Sequence, residues 1–311
     1  MESTKDNINL PDEDGYYKIH RAVCECDAKN KDIKSLLRLG ADIESLNPEG
    51  RTALHLACLA GHFHLVKLLI CEGANVNAID NEGHTPIFMA VEGSNSSINL
   101  LVDAGADIDH INHGNQTALM HACEIGKVGA VKYLCELGAN ARIDEFSSKS
   151  LIRLTLESIK SLSYTNALQM LRALVKAGAT VDAVDVTNGQ TELHVIAERT
   201  RNRWFGKQYF DLLKYLINSG ANPWRYDDNN TSPLSLMDEA GLKLLRPALK
   251  RYLKGKELAV VTGIKTVVEL KAFFFNQNKL TKREVYELLL DGTPAKQHFE
   301  EALALPSPID T

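Results

Sequence analysis

At 311 residues, with 44% hydrophobic and 24% charged side chains, the chain holds enough apolar material for a sizeable core and lacks the composition of a disordered polymer. Its net charge of −5 hides an asymmetry: residues 242–311 carry 12 Lys plus Arg against 8 Asp plus Glu, which leaves 23 against 32 in the first 241. So acidic a front does not suggest a nucleic-acid groove, which needs cations concentrated on the contact face, and no apolar run approaches the ~18 residues of a membrane span.

In chain order, residues 1–13 are polar and lack the basic then apolar start of a secretory signal, so they are expected to be a flexible leader on a cytoplasmic protein. Asp14-Gly15-Tyr16-Tyr17 opens a first unit whose second helix, near Asp32 to Leu39, runs into Gly40-Ala41. Gly50 to Asp80 is the clearest copy. Thr52–Leu59 and Phe63–Glu72 read as two short helices, the second carrying Leu65, Val66, Leu68 and Leu69 and closed by Gly73. A third copy starts at Thr85-Pro86, with proline at the helix start where a missing N–H costs nothing. The fourth has Asn115 where earlier copies have glycine, a residue that tolerates positive φ. The fifth lacks a turn glycine, its first helix is expected to continue through Ile159, and about seven or eight extra residues precede Leu171. The sixth recovers an Asn188-Gly189 turn and inserts Arg199 to Lys207 between its helices. The seventh, Asn230 to Leu234 followed by Leu242 to Leu253, is a truncated closing cap.

The glycine that ends each second helix recurs at Gly40, Gly73, Gly105, Gly138, Gly178 and Gly220, at intervals of 33, 32, 33, 40 and 42. The hydroxyl residue opening each first helix, from Thr52 through Thr85, Thr117, Ser150 and Thr191 to Ser232, keeps intervals of 33, 32, 33, 41 and 41. A unit this small cannot bury its apolar faces alone, so the copies must stack. Period and letters (Gly-x-Thr-Pro/Ala-Leu-His-x-Ala, then Leu-Leu-x-x-Gly-Ala-x-x-Asn) resemble the ankyrin repeat over residues 14–254, about seven units. The resemblance implies an all-α ankyrin-repeat solenoid of helix-turn-helix units with β-hairpin-like turns.

Beyond Lys254 the period stops. Thr266 with Glu269 and Thr281 with Glu284 form capping boxes, Thr293-Pro294 starts a third helix, and Val267, Leu270, Phe273, Phe274, Val285, Leu288 and Leu289 can share a core. A small helical appendage is therefore expected over residues 255–304, followed by a tail, 305–311. The tail region from Phe299 to Thr311 resembles the signals of type IV secretion substrates. The alternative reading is thus an effector secreted into a host cell cytoplasm.

No phosphate loop, His-Glu-x-x-His helix, nucleophile elbow or paired-cysteine zinc arrangement is present, so no catalytic residue, cofactor or metal is assigned. The six cysteines fit a reducing compartment, with Cys58 and Cys123 at one small packing position. His20, His55 and His194 hold the position where, in the resembled family, the imidazole ties down the preceding turn. Asp80, Asp109, Asp144, Asp185 and Asp227 are expected as solvated turn formers. An enzyme would have to hide its chemistry in residues 255–304.

What stacked units offer is a binding face. By the resemblance, contacts with another protein fall on turn tips and the exposed side of each first helix: Arg51, Leu56, Leu59, His84, Met89, Glu92, Gln116, His121, Glu124, Ile125, Gln190 and Val195. Leu56, Leu59, Met89 and Ile125 are expected to form an apolar strip among polar tips. The insertion, with Arg201, Arg203 and Trp204, is a second candidate, since Arg and Trp are common binding anchors. The chain is expected to be a monomer by itself and to bind no nucleic acid.

Overall fold

The computed structural model describes residues 8–24, 30–142, 149–158, 164–200, 206–237 and 239–255, which fall into two compact units divided after Thr180. In the first unit the helices come in pairs: α1 (Lys18–Cys24) with α2 (Asn30–Arg38), α3 (Ala53–Leu59) with α4 (Phe63–Cys71), and α5 (Pro86–Glu92) with α6 (Ser96–Asp103). α7 (Ala118–Glu124) with α8 (Val128–Glu136) and α9 (Leu151–Ser158) with α10 (Tyr164–Lys176) complete it. The second unit holds α11 (Glu192–Thr200), α12 (Gly206–Asn218) and α13 (Glu239–Gly255). Among the described residues there is no strand, only an isolated antiparallel bridge between Val184 and Thr191.

Helices as short as α3 are unstable alone and owe their order to packing. α3 lies against α1, α4 and α5, α5 against α3, α6 and α7, and α7 against α5, α8 and α9, so each of these inner first helices is walled on three sides. That enclosure explains the small residues: Ala53, Ala57, Cys58, Ala118, Ala122 and Cys123 are fully buried. The second helices each bury one stripe, in α4 Leu65, Val66, Leu68 and Leu69, which is the i, i+3, i+4 pattern of an amphipathic helix.

Each second helix ends in the same six-residue lock. Gly73 has φ 93°, its N–H bonds Ile70 O (3.1 Å), and the N–H of Ala74 bonds Leu69 O (2.9 Å). Only glycine adopts that φ without strain, and the pair of bonds satisfies carbonyls the helix leaves open. Gly40, Gly105, Gly138, Gly178 and Gly220 repeat it with φ of 90–105°. Asn115 does take positive φ, 57°, and Asn230 matches it at 58° in the seventh copy.

The structure departs from expectation at three places. The flexible leader expected over residues 1–13 gives way at Ile8 to a repeat's closing turn. Ile8 is buried, Asn9 Nδ2 donates to Gly40 O (2.9 Å), and Asn9 Oδ1 accepts Asp42 N–H (2.8 Å). Asn77 makes the same two bonds to Gly105 O and Asp107 N, so Ile8–Gly15 copies Val76–Gly83. In the fifth copy α9 ends at Ser158, and Ile159 lies outside the described residues; part of the extra length lies in the 13-residue α10 instead. In the sixth, α11 runs to Thr200 and α12 begins at Gly206, so the insertion is narrower than Arg199 to Lys207. The seventh, the truncated cap, has turns over residues 233–236 where a first helix would stand. The expected appendage, apart from its first residue, and the tail lie outside the described residues.

Candidate protein-interaction face

Each tip turn is organised by one acid or amide. Asp80 Oδ1 accepts the N–H groups of Glu82 (3.0 Å) and His84 (2.8 Å), while Asp80 N–H bonds His84 O (2.9 Å). Asn47, Asn112 and Asp227 repeat the pattern. Asp80 and Asp227 form turns as expected, but they are buried rather than solvated. Burial by itself would raise the Asp80 carboxyl. The bonds from His84 N–H, the Arg51 guanidinium and Glu82 N–H outweigh it and hold the group below the usual carboxylate range. Asp109 is also committed to the fold, accepting Asn140 N–H at 2.8 Å; Asp144 lies outside the described residues.

The three repeat histidines link one copy to the next. His55 Nδ1 accepts the N–H of Thr52 (3.2 Å), so Nε2 carries the proton and donates it to the carbonyl of His84 (3.1 Å) in the following unit. His20 joins Tyr17 N–H to Ser45 O (3.0 Å), and His194 joins Thr191 N–H to Thr231 O (3.1 Å). All three are buried, and burial lowers the pKa of His20 and His55 below the ordinary value. They are structural. Cys58 and Cys123 are buried too, the Cys123 thiol being pushed up to about 12, so neither is a thiolate at neutral pH. Among the described residues, no three His, Cys, Asp or Glu converge to hold a metal ion.

The residues left over form a connected polar face in the second to fourth copies. Arg51 Nε donates to Asp80 Oδ2 (3.2 Å), and His84 Nδ1 stands 3.6 Å from the same oxygen. The His84 ring lies 4.9 Å from Phe88 and 6.3 Å from His121, whose Nε2 is 2.9 Å from Glu92 Oε1. Lys127 Nζ donates to the Glu92 carbonyl at 3.0 Å. A second motif, in three copies, joins the residue before the opening hydroxyl to a glutamate eight residues on: Gln116 to Glu124 (2.9 Å), Lys149 to Glu157 (2.7 Å) and, in the second unit, Gln190 to Glu198 (3.2 Å). Phe88, Lys127, Lys149, Glu157 and Glu198 are missed by sequence reasoning, which takes Asp80 only as a turn former. Aligning the copies by their opening hydroxyl would have exposed the glutamate column.

The expected apolar strip is not a surface. Leu56 is 9% exposed and Met89 1%, which leaves half-buried Leu59 and the 38% exposed Ile125. An enclosed first helix draws a long apolar side chain at this position inward, whereas the polar His121 at the equivalent site stays half-buried. Gln190 and Val195 are half-buried in the second unit. Arg201, Arg203 and Trp204 lie outside the described residues.

Comparison with known proteins agrees with this geometry. Models of ankyrin repeats match residues 19–112, as three copies, and 114–143. The B-cell lymphoma 3 protein homolog of Mus musculus is 30% identical over 254 residues, 79% of this chain and 53% of that one. The NF-kappa-B inhibitor cactus of Drosophila yakuba is 33% identical over 138 residues, 42% of this chain and 28% of that one. The chain thus spans about half or less of the length of these relatives. The crystal structure of the Bcl-3 ankyrin repeat domain superposes with a TM-score of 0.61 at 27% identity, covering 75% of this chain and all of that one. Paired short helices, glycine locks and turn-tying histidines therefore have one origin, and the chain is a member of the ankyrin-repeat family.

Proposed function

We propose that the chain is a non-enzymatic module that binds a partner protein through the turn tips and first-helix surface of its second to fourth copies. Ankyrin repeats generally mediate protein–protein interaction, and one observation narrows the reading to this face. Arg51, His84, Gln116, Leu59, Glu92 and Glu124 occupy two repeat positions that remain partly exposed while the first-helix residues between them are buried, His121 excepted. The fold leaves these positions free to vary, as a recognition surface requires. Ile125 supplies an apolar contact beside Glu124 and His121.

The test is affinity purification from cell extract with the wild-type chain beside Glu124→Arg/Ile125→Asp, both positions exposed. The expected result is a protein retained by the wild type and lost from a variant whose circular dichroism is unchanged. Equal retention by both would refute the assignment of the inner face. Because cactus is named as an inhibitor of NF-kappa-B, a purified NF-kappa-B subunit is a direct candidate for the same assay.

A further inference from the structure

We propose that the outer edge of the hairpin fingers in the first unit, marked by Leu46, Ile79 and Ile111, is a docking strip for a basic amphipathic helix of a partner protein. The proposal rests on the reading of the chain as a protein-binding module and moves one contact from the inner face to the finger edge.

The residue before each organising acid or amide is Pro11, Leu46, Ile79, Ile111, Val184 and Tyr226 in the six described turns, and Ile143 in the remaining copy of the sequence. The copies differ in turn glycine, helix length and opening letters, yet all keep an apolar side chain here. Packing does not account for it. Leu46 is 52% exposed, Ile79 49% and, in the second unit, Tyr226 40%, while Ile111 is half-buried. The flanking positions are used by the fold: Asp80 is turned into its own turn, and His110, one residue before Ile111, reaches back to Gly83 O (3.0 Å). The apolar residue itself is left exposed at Leu46 and Ile79 and partly exposed at Ile111. Isolated exposed apolar residues need no explanation, but a row in register on consecutive units makes a continuous stripe.

Spacing and charge select the occupant. Neighbouring helix layers stand about 8–10 Å apart, so the stripe presents an apolar side chain at about that interval. An α-helix offers residues seven apart on one face at about 10.5 Å, whereas a strand offers same-face residues at about 7 or 13 Å and falls out of step. Fingers 42–51, 75–84 and 107–116 carry Asp42, Glu44, Glu49, Asp80, Glu82, Asp107 and Asp109 against the single cation Arg51, which is bound to Asp80. Asp42, Glu49, Glu82 and Asp107 are exposed. A helix with Leu or Ile every seventh residue flanked by Lys or Arg complements both features.

The experiment pans displayed peptides of about 21 residues, three such periods, on the full chain, with Leu fixed at every seventh position and Lys, Glu, Gln or Ala elsewhere. Selected peptides are expected to be Lys-rich, to weaken as salt rises, and to lose about tenfold or more in affinity for Leu46→Gln/Ile79→Gln/Ile111→Gln. That variant should keep its Tm within about 2 °C, because Leu46 and Ile79 are exposed and Ile111 is partly exposed. Glu-rich peptides, peptides that bind the triple variant equally well, no selected peptide, or a Tm loss of about 10 °C would each overturn the strip. Peptides lost only from Glu124→Arg/Ile125→Asp would also overturn it while supporting the inner face.

Discussion

His55 shows how one proton is shared between two repeats: a backbone N–H of its own unit enters Nδ1, and Nε2–H leaves to a carbonyl of the next. Burial disfavours the cation, so the native pKa of His20 and His55 lies below the ordinary 6.5. The unfolded chain takes up these protons near the ordinary value while the native chain does not. Stability is therefore full above pH 6.5 and falls as pH drops through it, by up to about 1.4 kcal/mol per pH unit for each group. The urea midpoint is expected to fall between pH 7 and 5.5, and the fall to shrink in His55→Gln; an unchanged slope in that variant would rule the linkage out. The structural role of these histidines was legible from their repeat position. The burial of Leu56 and Met89 was not, because repeat position alone does not say how far neighbouring helices close over a side chain.

At the scale of elements, two glycines separate conformation from space. Gly73 takes φ 93° with nothing near a prospective Cβ, so Gly73→Ala should cost only the left-handed strain, about 1–2 kcal/mol. Gly93 has an ordinary φ of −83°, but a Cβ there would run into the backbone carbonyls of Cys58 and Leu59 in the preceding copy. Backbone cannot rotate aside as a side chain can, so Gly93→Ala is expected to lower the urea midpoint more than Gly73→Ala. The reverse order would show that neighbouring copies can separate at this junction. The first kind of glycine was visible in the sequence, since it marks the period. The second was not, because its constraint comes from another copy. Helix lengths follow the same rule: the closing glycine located the ends of α10 and α12, but their extra turns became visible only once the chain was folded.

Stability in stacked repeats is passed between neighbours, so damage at one junction should spread along its own unit before it reaches the other. Hydrogen exchange of Gly93→Ala is expected to lose protection in α3 to α8 while α11 and α12 keep theirs; uniform loss across both units would show that the chain opens as one cooperative body. The sequence by itself determined the paired helices, their glycine closures and the family, since each is written in short-range periodicity that stacking must obey. It also placed the apolar residue before every tip, without saying whether that residue is inside or out. Only the tertiary structure decided exposure. It buried Leu56 and Met89, linked Arg51, Asp80, His84, His121 and Glu92 into one face, and left Leu46 and Ile79 outward, because exposure depends on what the neighbouring copy covers and not on the residue itself.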